Sequence, residues 1–525
     1  MKPSKYSQTR RLFMQRAVAV GAAGMAPYIY TLEAMAAAAA DNAGNRVVRP
    51  GSGVLKGVAA AAPGYKALVC LFMFGGNDNA NFIIPYDLAD YNVYAAARTN
   101  MAIPRTGDPS VAVTAQTMTN MNQRGLIPIG PFAGQGGRSF AFHPNVGKKA
   151  GGAEVAALRS DGLPRLWDEG NLALVANVGP LAMPMTKIEY TNKTKTRPQN
   201  LFSHSDQQTT WMTSAATGYS PTGVGGRIAD LVDSMNVPMA GQPRISTCIS
   251  IAGVNTYQVA ESVQPYQINT SGPIGLSSQA FYTYSNYTAI NSAITKAFND
   301  QITRPRGNHF ETQWGGMMNY SLQTRAAINT ALALPESKLP GTAPSYNFRT
   351  SGNSLSSQLL MVAKLINASA ALGMQRQIFF VQIGGFDVHG NEFHPQNNTN
   401  WSKISEAVYD FHQAMAGIGA EDQVTLFSAS DFGRTLDSNG LGTDHGWGGH
   451  HFVSGGAVNG GQIYGTFPTV ALGGNDDIGR GSLLPTTSTD QFHATLARWF
   501  GLTDPQIATV LPNLYRFSPA TLGFV

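Results

Sequence analysis

Ala67–Phe74 reads ALVCLFMF and runs straight into Gly75-Gly76-Asn77-Asp78. An unbroken apolar run of this length suits a strand buried on both faces, as in a parallel sheet. A glycine turn with an acid at such a strand's carboxyl end is where open α/β sheets place ligand-binding groups. Asp78 alone would serve equally well as a turn or capping residue. The pattern recurs, however: Ile378–Ile383 (IFFVQI) ends in Gly384-Gly385-Phe386-Asp387-Val388-His389, and Val424–Ala429 (VTLFSA) ends in Ser430-Asp431. Leu172–Val178 (LALVANV) is a further run of the same kind.

Helical spacing lies between and after these runs. Leu355, Leu359, Val362, Ile366 and Ala370 lead to a stop at Gly373, and Trp401, Ile404, Val408, Phe411, Met415 and Ile418 mark a second helix. Phe492, Leu496, Trp499 and Phe500 line a third, which Ser488 or Thr489 can cap and Gly501 can end. Buried strands alternating with amphipathic helices predict an α/β sandwich with a mostly parallel sheet. Such a sheet delivers Asp78, Asp387 with His389, and Asp431 to one edge.

The stretch Phe427–Pro468 belongs to that edge. It carries Asp431, Arg434, Asp437, Asp444-His445 and His450-His451 in a glycine-dense background. Acids and imidazoles are poor core fillers and clustered glycines weaken regular elements, so this reads as a loop built to hold something.

Composition narrows the partners. Hydrophobic residues make up 43% of the 525 residues and charged ones only 13%, which excludes intrinsic disorder and fits one large domain. The net charge of +5 is not spread over that domain: Lys2, Lys5, Arg10, Arg11 and Arg16 against Glu33 put four of the five charges in the first 36 residues. Nucleic-acid binding therefore has no compositional support. The same segment has Arg10-Arg11-Leu12-Phe13, an apolar run from Ala17 to Tyr30 broken by Pro27, and Ala34-Met35-Ala36 as a small-residue cleavage pattern. This resembles a twin-arginine export signal over 1–36 and is short for a membrane span. Export implies the twin-arginine machinery as a partner, a periplasmic or extracellular location and a mature chain without a membrane span. Residues 37–64 read as a linker and 65–525 as the folded domain. Within it about 253–345, polar and rich in tyrosine (Tyr257, Tyr266, Tyr282, Tyr284, Tyr287), reads as an insertion or cap. With only Cys70 and Cys248 present, a disulfide-stapled fold and Cys-ligated zinc or iron–sulfur centres are excluded.

Asp and His residues arriving from separate strand ends suit one or two divalent cations such as Zn, Mn, Mg or Ca. Taken pair by pair, Asp387-x-His389 and Asp444-His445 could equally be acids orienting imidazoles. Other chemistries lack their signatures. There is no G-x-S-x-G elbow and no H-E-x-x-H helix, Gly147-Lys148-Lys149 lacks the phosphate loop's Ser or Thr, and Ile228 stands where a dinucleotide fingerprint needs its third glycine.

LVCLFMFGGNDNANFIIP, FSHSDQQTTW, FFVQIGGFDVHGNE, SDFGRT and TDHGWGG, in this order behind the leader, resemble the bacterial family called domain of unknown function 1501. That family is placed within the alkaline-phosphatase-like superfamily of phosphatases, sulfatases and phosphomutases. The resemblance implies a three-layer sandwich around a mostly parallel sheet, and a metal-dependent hydrolase of phosphate or sulfate esters. On this reading Asp78, Asp444 and His445 bind one metal together with a nucleophile, Ser203 first and Ser205 second. Asp387 and His389 bind the other, with His394, His450, His451 and His493 competing for the remaining place and His450 preferred. Asp431 stands where the superfamily has a Glu, as ligand or base, and Arg434 is the candidate for an anionic substrate group. The alternative is a non-catalytic secreted binding or surface protein that keeps the fold and one structural ion.

Overall fold

The computed structural model describes residues 64–106, 125–147, 159–274, 288–304, 307–334, 348–390, 395–439 and 442–525. The leader, most of the linker, Tyr282, Tyr284, Tyr287 and His394 lie outside them.

In chain order the strands are β1 (Lys66–Met73), β2 (Ile83–Pro85), β3 (Ile127–Phe132), β4 (Arg138–Phe142), β5 (Leu172–Gly179), β6 (Cys248–Ser250), β7 (Tyr266–Asn269), β8 (Gly272–Pro273), β9 (Arg376–Ile383), β10 (Val424–Ser430), β11 (Arg434–Ser438), β12 (Thr443–His445), β13 (Gly449–Ser454), β14 (Ile463–Tyr464) and β15 (Thr487–Ser488). The central sheet has the order β14-β5-β13-β10-β1-β9-β6-β7-β8, with β15 also paired to β5. β1 lies parallel between β9 and β10, in a register that sets Met73 beside both Ile383 and Ser430. β13 runs antiparallel to both of its neighbours, β10 and β5, and β8 runs antiparallel to β7; the remaining pairings are parallel. The fold is thus α/β around a mixed, mostly parallel sheet.

The unbroken apolar runs are explained by burial on both faces. Along β1, Ala67, Val69, Leu71 and Met73 join one core, while Leu68, Cys70 and Phe72 join a second on the opposite face. Helices supplying the first core include α1 (Leu88–Arg98), α7 (Ser354–Asn367) through Leu355, Leu359, Val362 and Ile366, and α8 (Pro395–Gly417) through Trp401, Ile404, Val408 and Phe411. Four supply the second: α3 (His204–Thr213), α4 (Val224–Val232), α9 (Thr489–Phe500) and α10 (Asp504–Val510). α9 begins at a capping box in which the Ser488 side chain accepts from Gln491 N, and it ends at Gly501 with φ 115°.

Residues 253–274 are threaded into this body. Tyr257 and Tyr266 are buried, and β7 extends the sheet edge. Beyond them α5 (Thr288–Thr303) and α6 (His309–Ala333) pack against each other, leaving Phe310 and Trp314 exposed; α2 (Gly162–Asp168) precedes β5. Cys70 and Cys248 are free and buried, and burial pushes both thiols well above their usual range. No helix among the described residues is long and apolar enough to cross a membrane.

Candidate metal centre

The register of β9, β1 and β10 places three loop starts side by side at the carboxyl edge. The turn after β1 must be glycine. Gly75 has φ 114°, and a Cβ there would lie 2.3 Å from Asp387 N; Gly76 has φ 79°, and a Cβ would lie 2.4 Å from the Phe432 ring. This close approach brings the β9 and β10 loops together, and Gly75 N donates to Asp431 Oδ2 at 3.2 Å. Two further elements complete the edge: the start of α3, which carries His204, and the β11–β12 ribbon, in which Arg434 pairs with His445.

His204, Asp387, His389 and His445 form the one group among the described residues that could hold a metal ion, their donor atoms lying within 4.8 Å of one another. Each imidazole is held from behind through Nδ1. His204 Nδ1 faces Asp431 Oδ2 at 2.7 Å, His389 Nδ1 faces Asp444 Oδ1 at 3.1 Å, and His445 Nδ1 faces the Phe202 carbonyl at 2.5 Å. A carboxylate or carbonyl oxygen can only accept, so in the neutral form of each ring Nδ1 carries the proton and Nε2 presents its lone pair.

Those lone pairs converge on a carboxylate. From Asp387 Oδ1 the Nε2 atoms lie at 3.3 Å (His204), 3.1 Å (His389) and 3.6 Å (His445), and His389 Nε2 is 2.8 Å from His445 Nε2. His204 Nε2 is buried without a hydrogen-bond partner. With the rings neutral, three imidazole lone pairs and a carboxylate facing one another are mutually repulsive unless a cation joins them. Four tetrahedral donors at zinc–nitrogen distance would lie about 3.4 Å apart, which these separations bracket. The donor set, three borderline nitrogens and one hard oxygen, suits Zn or Mn better than Ca or Mg.

The surrounding charges agree with this. Burial pushes the Asp387 carboxyl up, but hydrogen bonding and charge attraction from Arg434 outweigh it and hold the group below its usual range. For Asp444, burial is likewise outweighed, by Arg480, His389 and Asn439, which hold it at about 2. Burial lowers His445, against the hydrogen bond to the Phe202 carbonyl, and so favours its neutral form. Asp431, fully buried, is pushed up by burial against hydrogen bonds from Gln208 and His204.

The residues singled out from sequence are placed as follows. Asp387, His389 and His445 are in the centre. Asp444 and Asp431 stand behind imidazoles as orienting carboxylates, and Asp431 at 0% exposure cannot meet a substrate. Asp78 is not in the group: it is buried in an ion pair with Arg98, whose guanidinium also donates to Thr435 O and Leu436 O. Arg434 does not face solvent. At 1% exposure it donates to Gly75 O, Gly76 O, Phe386 O, Thr443 O and Asp387 Oδ1, clamping the strand-end loops together instead of offering itself to an anion. His450 is a core residue whose Nδ1 accepts from Asn177 N at 3.1 Å and whose ring stacks on Phe467. His451 and His493 flank Trp211 in the second core, with Nδ1 bonded to Ser428 and Ser214. Ser203 is the N-cap of α3, and its Oγ donates to Asp206 Oδ2 at 2.6 Å and lies 3.5 Å from Ser205 Oγ.

His204 and Arg480 were not picked out as site residues from sequence. His204 sits in the quoted Ser-His-Ser-Asp run, but its partner Asp431 lies 227 residues away, a separation no spacing rule reads. Arg480 lies in a glycine-flanked loop with no motif around it.

No curated protein matches the chain. Residues 289–513, which carry Asp387, His389 and His445, match the family described as Protein of unknown function (DUF1501).

Proposed function

We propose that the protein is an exported, metal-dependent hydrolase of phosphate or sulfate esters. The observation that carries this reading is the convergence of three Nε2 lone pairs on one carboxylate, each ring held from behind by an acceptor. Bound there by His204, Asp387, His389 and His445, a divalent cation would polarise an ester oxygen and ease deprotonation of a nucleophile beside it. One such group is present among the described residues, so the reading takes one ion. The paired arginines of the leader support export.

The chain's own residues supply the remaining steps. Asp431, Asp444 and the Phe202 carbonyl hold the imidazoles in one tautomer and orientation, and Arg434 pins Asp387. Ser203, next to His204, is the nucleophile of this reading. As its Oγ forms a bond to phosphorus or sulfur, its proton passes to Asp206, and the bond to the ester oxygen breaks, that oxygen taking the proton back from Asp206 through a water. A second water then cleaves the serine ester, releasing phosphate or sulfate and restoring the hydroxyl.

The mature protein should carry about one divalent ion per chain, as a single tetrahedral site holds, and turn over a substrate in a phosphatase and sulfatase panel. His204→Ala should lose ion and turnover together, while Ser203→Ala should lose turnover and keep the ion. An ion-free protein, or full turnover in His204→Ala, would overturn the reading. Full turnover in Ser203→Ala alone would put water in the nucleophile's place.

A further inference from the structure

Two arginines touch the carboxylates of the centre, and they differ in what is left over. Arg434 is buried and spends its donors on backbone carbonyls and Asp387. Arg480 has a half-exposed side chain; Nη1 donates to Asp444 Oδ2, Nε donates to Asp437 Oδ2 at 3.2 Å, and Nη2 has no hydrogen-bond partner among the described residues. Its backbone is in an expensive place. Gly479, Arg480 and Gly481 have φ of 139°, 55° and 77°, and arginine, unlike glycine, bears a steric cost there. The loop is built to keep that conformation. Buried Asp477 accepts from Gly479 N and Gly481 N through Oδ1 and from Gly473 N through Oδ2, each at 2.7 Å, while the Arg480 and Gly481 carbonyls accept from Asp437 N and Leu436 N.

Holding Asp444 uses one donor and would not need arginine's planar fork. The Nη2 edge is left over on a side chain that is half exposed. Between Arg480 and the converging Nε2 atoms stand the His389 ring and the Asp444 carboxylate, so an anion that meets this edge is set off from the reacting group. Asp437 is itself half-exposed, and an exposed pair of this kind is weak enough for a substrate anion to displace.

We propose that Arg480 binds a second anionic group of the substrate, so that the preferred substrates are esters carrying at least two anionic groups; this rests on the hydrolase reading above. The test is calorimetric binding to the metal-loaded protein of glucose 1,6-bisphosphate against glucose 6-phosphate, with turnover of both followed separately. Wild type should prefer the bisphosphate at least tenfold. Arg480→Gln should bring that ratio close to one with metal content unchanged, and Asp437→Asn, which frees Nε from its competing carboxylate, should raise it. Equal binding of the two probes by wild type would overturn the proposal, as would an Arg480→Gln variant that weakens both alike or an Asp437→Asn variant that leaves the ratio where it was. Failure of the hydrolase reading looks different: both esters stay intact while the binding ratio still reports on Arg480.

Discussion

At the scale of single residues, the candidate centre depends on groups that would not touch an ion held there. His204 is aimed by Asp431, a buried carboxylate that also accepts from Gln208 and Gly75 N, so the imidazole cannot turn without abandoning it. Asp431→Asn keeps the shape but replaces one acceptor oxygen with a donor and removes the charge that makes Nε2 a good ligand. Loss of such an orienting carboxylate commonly weakens metal binding by about 10–100-fold. Chelator competition with Zn(II) should show a drop of that size in Asp431→Asn and a smaller one in Asp444→Asn, whose carboxylate is more exposed. Equal affinity in wild type and Asp431→Asn would remove Asp431 from the account.

At the scale of elements, the site is a consequence of how closely three strand-end loops can pass. The β1 turn lies so near the β9 loop that a methyl group on Gly75 would strike the backbone of Asp387, which has no side chain to swing away. Gly75→Ala should therefore destabilise by about 1–3 kcal/mol from the left-handed backbone alone, with an added cost from the clash. It should also displace Asp387 and weaken metal binding. Gly170 is the control, since it too has positive φ (76°) but open space around its Cβ position. Gly170→Ala should lose stability in a urea titration and leave metal affinity alone. Identical behaviour of the two variants would argue that the loop contact does not position Asp387.

At the scale of the whole molecule, the two cores store a pH dependence apart from the centre, His450 against Phe467 of the first and His451 and His493 beside Trp211 of the second. Burial pushes His450, His451 and His493 down to about 3, from an ordinary value of 6.5. The unfolded chain binds these protons first, so their contribution is complete above pH 6.5 and is lost as pH falls towards 3, by up to about 1.4 kcal/mol per pH unit for each group. Asp490, pushed by burial up to about 7, acts in the opposite direction, since the folded state holds its proton between 3.8 and 7. Three groups against one leave a net loss of stability on acidification between about pH 6.5 and 4. Unfolding free energies from urea titrations at pH 7, 6 and 5 should fall accordingly, and His451→Gln should flatten the slope by about one proton; a level profile in wild type would contradict this. The two cores also show how much was legible beforehand. Unbroken apolar runs and helical spacing were enough for an α/β architecture with a mostly parallel sheet, because burial on two faces leaves a local signature in every strand. The glycine-acid endings likewise pointed to Asp387, His389 and Asp431 at one edge. Local pattern could not say which histidine joins them. His204, His445, His450 and His451 have the same side chain, and only packing sends His204 and His445 to the edge while sealing the other two into cores. Asp78 and Arg434 make the same point in reverse. Each sits in a motif suited to ligand binding, yet the strand-end loops pair Asp78 with Arg98 and bury Arg434 as their clamp. The sequence alone determined the architecture and the edge where chemistry gathers. The tertiary structure decided the ligand set, because whether a polar side chain faces a cation, a carbonyl or a core depends on neighbours tens to hundreds of residues away.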